Sequence, residues 1–138
     1  MHNSLPILVI FVLATAYGIW YRRSRGKVKS KLKRADHAPL DHNLFGSEFG
    51  SRATFIQFSS AFCTPCRATR ALLTDITADR ADVKHIEVDA EKNLDLVRKF
   101  DIRSTPTTLV LNADGIEVGR AIGSPKRSEI LETLATLK

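Results

Sequence analysis

Cysteine is scarce in this chain, with two in 138 residues, at positions 63 and 66. So low a number excludes a secreted scaffold stapled by disulfides, which needs several bridges in place of a large core. A bridge between these two would close almost no loop and would constrain the unfolded chain little, so stapling is a poor reason for the pair. Chemistry is the better one. Acidic residues are missing from 22–34, where Arg22, Arg23, Arg25, Lys27, Lys29, Lys31, Lys33 and Arg34 crowd together. These eight more than account for the net charge of +6, because the other 13 basic residues stand against 15 acidic ones. The basicity is local, and the nearby aromatics Trp20 and Tyr21 precede it rather than interleave with it. A nucleic-acid-binding face would place basic residues and aromatics together on a folded surface, so no nucleic-acid partner is expected. Internal repeats are absent, as are low-complexity tracts other than this basic one.

Long apolar runs are absent but for one. Residues 5–21 (LPILVIFVLATAYGIWY) contain no charge, and 17 residues is the lower limit of the roughly 17–25 that span a bilayer as a helix. Trp20 and Tyr21 suit the headgroup region, and Pro6 falls in a first turn, where its missing N–H does no harm. A buried core helix would need a polar face, and this run has none. Ala14-Thr15-Ala16 has the form favoured by signal peptidase, but no Lys or Arg precedes Leu5 to supply a basic leader region. The expectation is an uncleaved transmembrane helix, making the protein a single-pass protein of the cell membrane. With the basic residues all after the span, the following domain is expected in the cytoplasm. The segment 22–34 would lie along the anionic inner leaflet, each charge contributing roughly 1 kcal/mol. The organisation is then a tail at 1–4, the transmembrane helix at 5–21, a basic juxtamembrane linker at 22–39 and one folded domain at 40–138.

Within that domain, 53–58 (ATFIQF) reads as a buried strand and 83–89 (VKHIEVD) alternates as a second. Residues 64–79 carry Ala68, Ala71, Leu72 and Ile76 at helical spacing, and Leu94, Val97 and Phe100 mark a short helix. Residues 107–111, the turn Asn112-Ala113-Asp114-Gly115 and residues 116–122 read as a hairpin. Ser124-Pro125 reads as an N-cap with proline at the first helical position, ahead of a last helix whose apolar face is Ile130, Leu131, Leu134 and Leu137. The order β-α-β-α-β-β-α predicts an α/β fold, a central mixed sheet with helices on both faces.

Cys63-Thr64-Pro65-Cys66 falls where a buried strand ends and a helix begins. Residues i and i+3 share a face, with Cβ atoms roughly 5–6 Å apart, and a small adjustment brings them within disulfide range. First-turn N–H groups lack helical partners and carry the positive end of the helix dipole, so they should stabilise a thiolate at Cys63. Cys66 lies deeper, suited to resolving a mixed disulfide rather than starting one. Pro65 fixes φ early in the helix at little cost. Ser104-Thr105-Pro106-Thr107 puts a proline at the start of a strand, a position that admits a cis peptide beside the turn bearing Cys63.

These residues, taken in order, resemble the thioredoxin family over roughly 40–137. The landmarks are the strand leading into Phe62-Cys63-Thr64-Pro65-Cys66, the strand ending at Asp89, Thr105-Pro106-Thr107, the turn at Gly115, and Gly123 before the last helix. The whole chain resembles the membrane-anchored thioredoxin-like proteins of high-GC Gram-positive bacteria. The resemblance implies a thioredoxin-like fold and a thiol–disulfide oxidoreductase with Cys63 as nucleophile and Cys66 as resolving cysteine. It implies Pro106 as the cis-proline, with the Thr105 backbone pairing with substrate as a short strand. Disulfide-bearing protein substrates and a thioredoxin-reductase-like electron donor are implied as partners, with no cofactor beyond the redox-active disulfide of Cys63 and Cys66, and no metal.

Three positions depart from the family pattern. Phe62 replaces the tryptophan before the first cysteine and loses an N–H donor. Thr64 replaces the usual glycine, so a redox potential does not carry over; related dithiols span about 150 mV. Gln57 replaces the buried aspartate six residues before the nucleophile, and an amide cannot accept the proton of Cys66. His85 and Glu87 alternate along their strand toward or away from Gln57. One alternative is a Cys₂His₂ zinc module in which Cys63 and Cys66 join His37 and His42; others are an exported thioredoxin-like reductase or oxidant on the outer face, and a redox-inert docking module.

Overall fold

The computed structural model describes residues 5–24, 28–30 and 38–137. Its elements are α1 (Leu5–Ser24), β1 (Val28–Ser30), a 3₁₀ turn (His42–Phe45), β2 (Ala53–Ser59), α2 (Thr64–Ala78), β3 (Val83–Asp89), α3 (Leu94–Lys99), β4 (Thr107–Asn112), β5 (Glu117–Ile122) and α4 (Arg127–Thr136). The five strands form one sheet in the order β1-β5-β4-β2-β3. Only β2 and β3 pair in parallel, as the helix between them requires; the other pairs are antiparallel.

β2 is buried at every residue because it has a strand on each edge and packed side chains on each face. Its alternation divides the core. Ala53 and Phe55 point to one side, where they meet Leu73 and Ile76 of α2 and Ile130 and Leu134 of α4. Ile56 and Phe58 point to the other, where they meet Ile86, Val88, Leu109 and the partly buried Leu96, Val97 and Phe100. Each fully buried phenylalanine contributes about 1.5–3 kcal/mol. Gln57 and Ser59 share the α2 side with Phe55, so the first core layer hands over to a polar layer just where β2 runs into the loop before α2.

At the N-terminal side one expectation gains no support and one is revised. Among the described residues no helix is long and apolar enough to cross a membrane. A helix does stand at the position expected for a span, but its uncharged part stops at Tyr21 and its last turn holds Arg22 and Arg23. Its apolar side chains, Ile7, Phe11 and Trp20 among them, are exposed. The segment 22–39 is not wholly linker either. Val28, Lys29 and Ser30 pair with Ala121, Arg120 and Gly119, adding an edge strand outside β5.

A further correction concerns α4, which starts at Arg127 with Lys126 as N-cap rather than at Ser124-Pro125. The Ser124 hydroxyl is engaged elsewhere, donating to the carbonyl of Pro65 at 3.3 Å and lying 3.3 Å from the Thr69 hydroxyl. The helix start is served by Glu129, whose carboxylate accepts the Lys126 N–H at 3.2 Å. The hairpin turn stands as expected: Asn112 Oδ1 accepts the N–H groups of Asp114 and Ile116, and Gly115 takes the positive φ of 74° that the turn needs.

Candidate active site

The strand–helix junction after β2 builds the site. Cys63 is the N-cap of α2, with extended backbone (φ −103°, ψ 100°), and its Sγ accepts the Cys66 N–H at 3.1 Å. Pro65 sits in the first turn, where no N–H is needed. Cys63 and Cys66 are joined as a disulfide with Cα atoms 5.1 Å apart. Burial separates the two sulfurs: Cys63 is half-buried at the helix end, while Cys66 is 1% exposed. The Cys66 N–H and the helix dipole are directed at Cys63 Sγ, an environment that favours its thiolate once the bridge opens.

Around this pair the chain brings in three further segments. The Thr105–Pro106 peptide bond is cis, and the Thr105 hydroxyl lies 3.0 Å from that of Ser60, which fastens the proline loop to the loop bearing the cysteines. Ser124 reaches the same helix start through Pro65. Phe62 stands wholly in solvent next to Cys63, and Thr64 and Pro65 are exposed beside it. Phe62 has no packing role inside the domain; it forms an apolar lip at the disulfide.

Beneath the pair lies Gln57, with no exposed surface. Its Nε2 donates to the carbonyl of Cys66 and to the Ser59 hydroxyl, each at 2.9 Å. Because a carbonyl only accepts, the amide orientation is fixed with Oε1 toward His85, whose Nε2 is 3.0 Å away and must carry the hydrogen. Gln57 therefore holds the backbone of Cys66; its hydrogen bonds run to that carbonyl and not to a sulfur. His85, one of two readings open from the sequence, does turn inward. Burial holds its pKa below the ordinary 6.5; Glu87 opposes that and Arg70 adds to it.

Among the described residues no group of three or more His, Cys, Asp or Glu side chains could hold a metal ion. The zinc alternative gains no support: the two sulfurs are bonded to each other, His42 stacks edge-on to Phe49, and His37 lies outside the described residues. A cleft of about 440 Å³ lined by Leu40, Phe100 and Arg120 contains none of these site residues.

The thioredoxin family model matches residues 38–136. The chain belongs to the thioredoxin family. A thioredoxin from Mycolicibacterium smegmatis is 31% identical over 88 residues, covering 62% of this chain and 78% of that protein. Thioredoxin H5 of Oryza sativa subsp. japonica is 28% identical over 72 residues, about half of each chain (52% and 53%). Among solved structures, the thioredoxin NaTrxh from Nicotiana alata superposes with a TM-score of 0.58 at 23% identity, over 68% of this chain and 80% of that one, and so shares the fold. With the Cys63–Cys66 bridge in place, this thioredoxin-family chain is a thiol–disulfide oxidoreductase. Family membership implies disulfide-bearing substrates and a reductase partner.

Ser59, Ser60, Ser124 and the His85–Gln57 bond were not legible as parts of the site. Each lies within the site through register or loop packing, and none stands in a local motif; the period-2 placement of His85 and Glu87 was the only available signal.

Proposed function

We propose that this protein reduces protein disulfides at a membrane, with Cys63 attacking first and Cys66 resolving. The observation that carries the reading is the difference in burial between the two sulfurs, half-buried at the helix end against 1% exposed. The Cys63 thiolate attacks a substrate disulfide, one substrate sulfur leaves, and a mixed disulfide forms. Cys66 then attacks Cys63 Sγ, the second substrate sulfur leaves, and the Cys63–Cys66 bridge remains. Two electrons have passed to the substrate, and a thioredoxin-reductase-like donor returns them. No cofactor beyond the dithiol is needed. The backbone beside the cis-proline, at Thr105, lines up the substrate as a short added strand, and Phe62 packs against its apolar side chains.

The exposed apolar helix α1 supports a membrane tether. Ile7, Phe11, Leu13 and Trp20 on it are exposed, and burying them in lipid removes them from water. The uncharged run is short for a bilayer, a mismatch that local thinning and snorkelling of Arg22 and Arg23 offset. The basic segment 22–34 suits the anionic cytoplasmic leaflet, and its position after the apolar run supports a domain on the cytosolic face. That compartment keeps dithiols reduced, so the direction is reduction.

The test uses Cys63→Ser and Cys66→Ser. The first is expected to abolish disulfide reduction, and the second to stop after one attack, holding substrates as mixed disulfides through Cys63. Trapping through Cys66 in the Cys63→Ser variant, with none in Cys66→Ser, would reverse the assignment.

A further inference from the structure

Resolution by Cys66 requires that a buried thiol lose its proton, since only the thiolate attacks. Gln57 cannot take that proton, and its amide is already engaged by Cys66 O, Ser59 and His85. His85 has its Nε2 committed to Gln57 Oε1 and borders a different surface hollow, with Thr74 and Lys84. On the open side of Cys66 lies a cleft of about 320 Å³ whose walls include Ser59, Ser60, Cys66, Arg70, Glu87 and Asp89. A polar space of that size holds several water molecules, each needing only two to four polar partners. Glu87 is the register partner of Gln57 on the neighbouring parallel strand, so a carboxylate stands one strand away from the amide. Arg70 of α2 pairs with it and pins it at the cleft. The other carboxylate there, Asp89, is occupied by the backbone N–H groups of Glu91 and Lys92 and by the Lys92 ammonium.

We propose that Glu87 accepts the Cys66 proton through water in this cleft, a proposal that rests on Cys66 being the resolving cysteine. In the mixed disulfide, Cys66 Sγ–H gives its proton by way of water to the Glu87 carboxylate. The electron pair left on Cys66 Sγ forms the bond to Cys63 Sγ, the bond from Cys63 to the substrate sulfur breaks, and that sulfur departs as a thiolate. The proton on Glu87 then passes to solvent or to the departing thiolate. The charged and titratable groups around Glu87 are Arg67 and Arg70 from α2, and Asp89 and the neutral His85 from its own strand; β2 presents only the uncharged Gln57 and Ser59.

Rapid mixing of the reduced full-length protein in detergent with a peptide disulfide follows formation and decay of the mixed disulfide separately. Glu87→Gln is expected to slow decay about tenfold or more at neutral pH while leaving formation within about twofold. Without the carboxylate, hydroxide must do the work, so the decay rate of Glu87→Gln should climb about tenfold per pH unit between roughly pH 6 and 8, more steeply than wild type. Glu87→Asp, which keeps the base but shortens it across a water-filled gap, should recover most of the lost rate. Decay of Glu87→Gln at the wild-type rate and pH dependence would overturn the proposal, as would Glu87→Asp being no faster than Glu87→Gln. Decay that persists in Cys66→Ser would instead show that the resolving role itself is misplaced.

Discussion

The bond between His85 and Gln57 is where single residues weigh most. Neutral His85 fits its place: its Nε2–H satisfies Gln57 Oε1, and burial disfavours the imidazolium. The native pKa therefore lies below 6.5, whereas the unfolded chain titrates near 6.5. Between those values the unfolded state binds more protons, so stability is fully present above about pH 6.5 and falls as the pH drops through the native pKa. Urea midpoints measured from pH 7.5 down to 5.5 should decline less in His85→Gln than in wild type, and parallel declines would remove His85 as their source. Residues of this kind mark the limit of legibility. Cys63, Pro65 and Cys66 declare themselves because their chemistry sits within one helical turn. The His85–Gln57 contact joins residues 28 apart through strand register, which no local pattern fixes.

At the scale of elements, periodicity served well inside the domain. β3 has the expected ends, β2 and β4 each run one residue further, and α2 ends one residue short. Alternation and 3.6-residue spacing are consequences of burial on one face, and burial there is strong. The failures came where another interaction took over: Ser124 bonding α2 instead of capping α4, and β1 hidden in a charge run. The signal for β1 was present in the sequence, since Lys27, Lys29, Lys31 and Lys33 alternate with the period of two that a strand has. A chain beginning at Ala35 would lack this strand and expose the outer edge of β5. Amide hydrogen exchange at Gly119–Ala121 should then accelerate, with Leu109 in the sheet interior unchanged. Unaltered protection at those amides would mean that β1 adds no lasting hydrogen bonds.

For the whole molecule, charge and apolar surface are segregated. The exposed apolar helix and the basic run occupy the first quarter of the chain, and the disulfide lies in a domain whose remaining charges nearly cancel. On the cytosolic assignment, a membrane-impermeant thiol reagent should leave Cys63 unlabelled in intact cells and label it in inside-out vesicles. Labelling in intact cells would place the domain on the outer face.

The pairing of β1 with β5 also sets how far the domain can wander. Only three residues separate Ser24 at the end of α1 from Val28 at the start of β1, so the sheet edge is held within about 15 Å of the helix end. Were 22–39 a loose leash of 18 residues, the domain would roam with a root-mean-square reach of about 23 Å and a full stretch of about 60 Å. With α1 in the bilayer as proposed, a domain zipped to its own tether would work at a fixed height, and disulfides displayed within about one domain diameter of that surface would be its range.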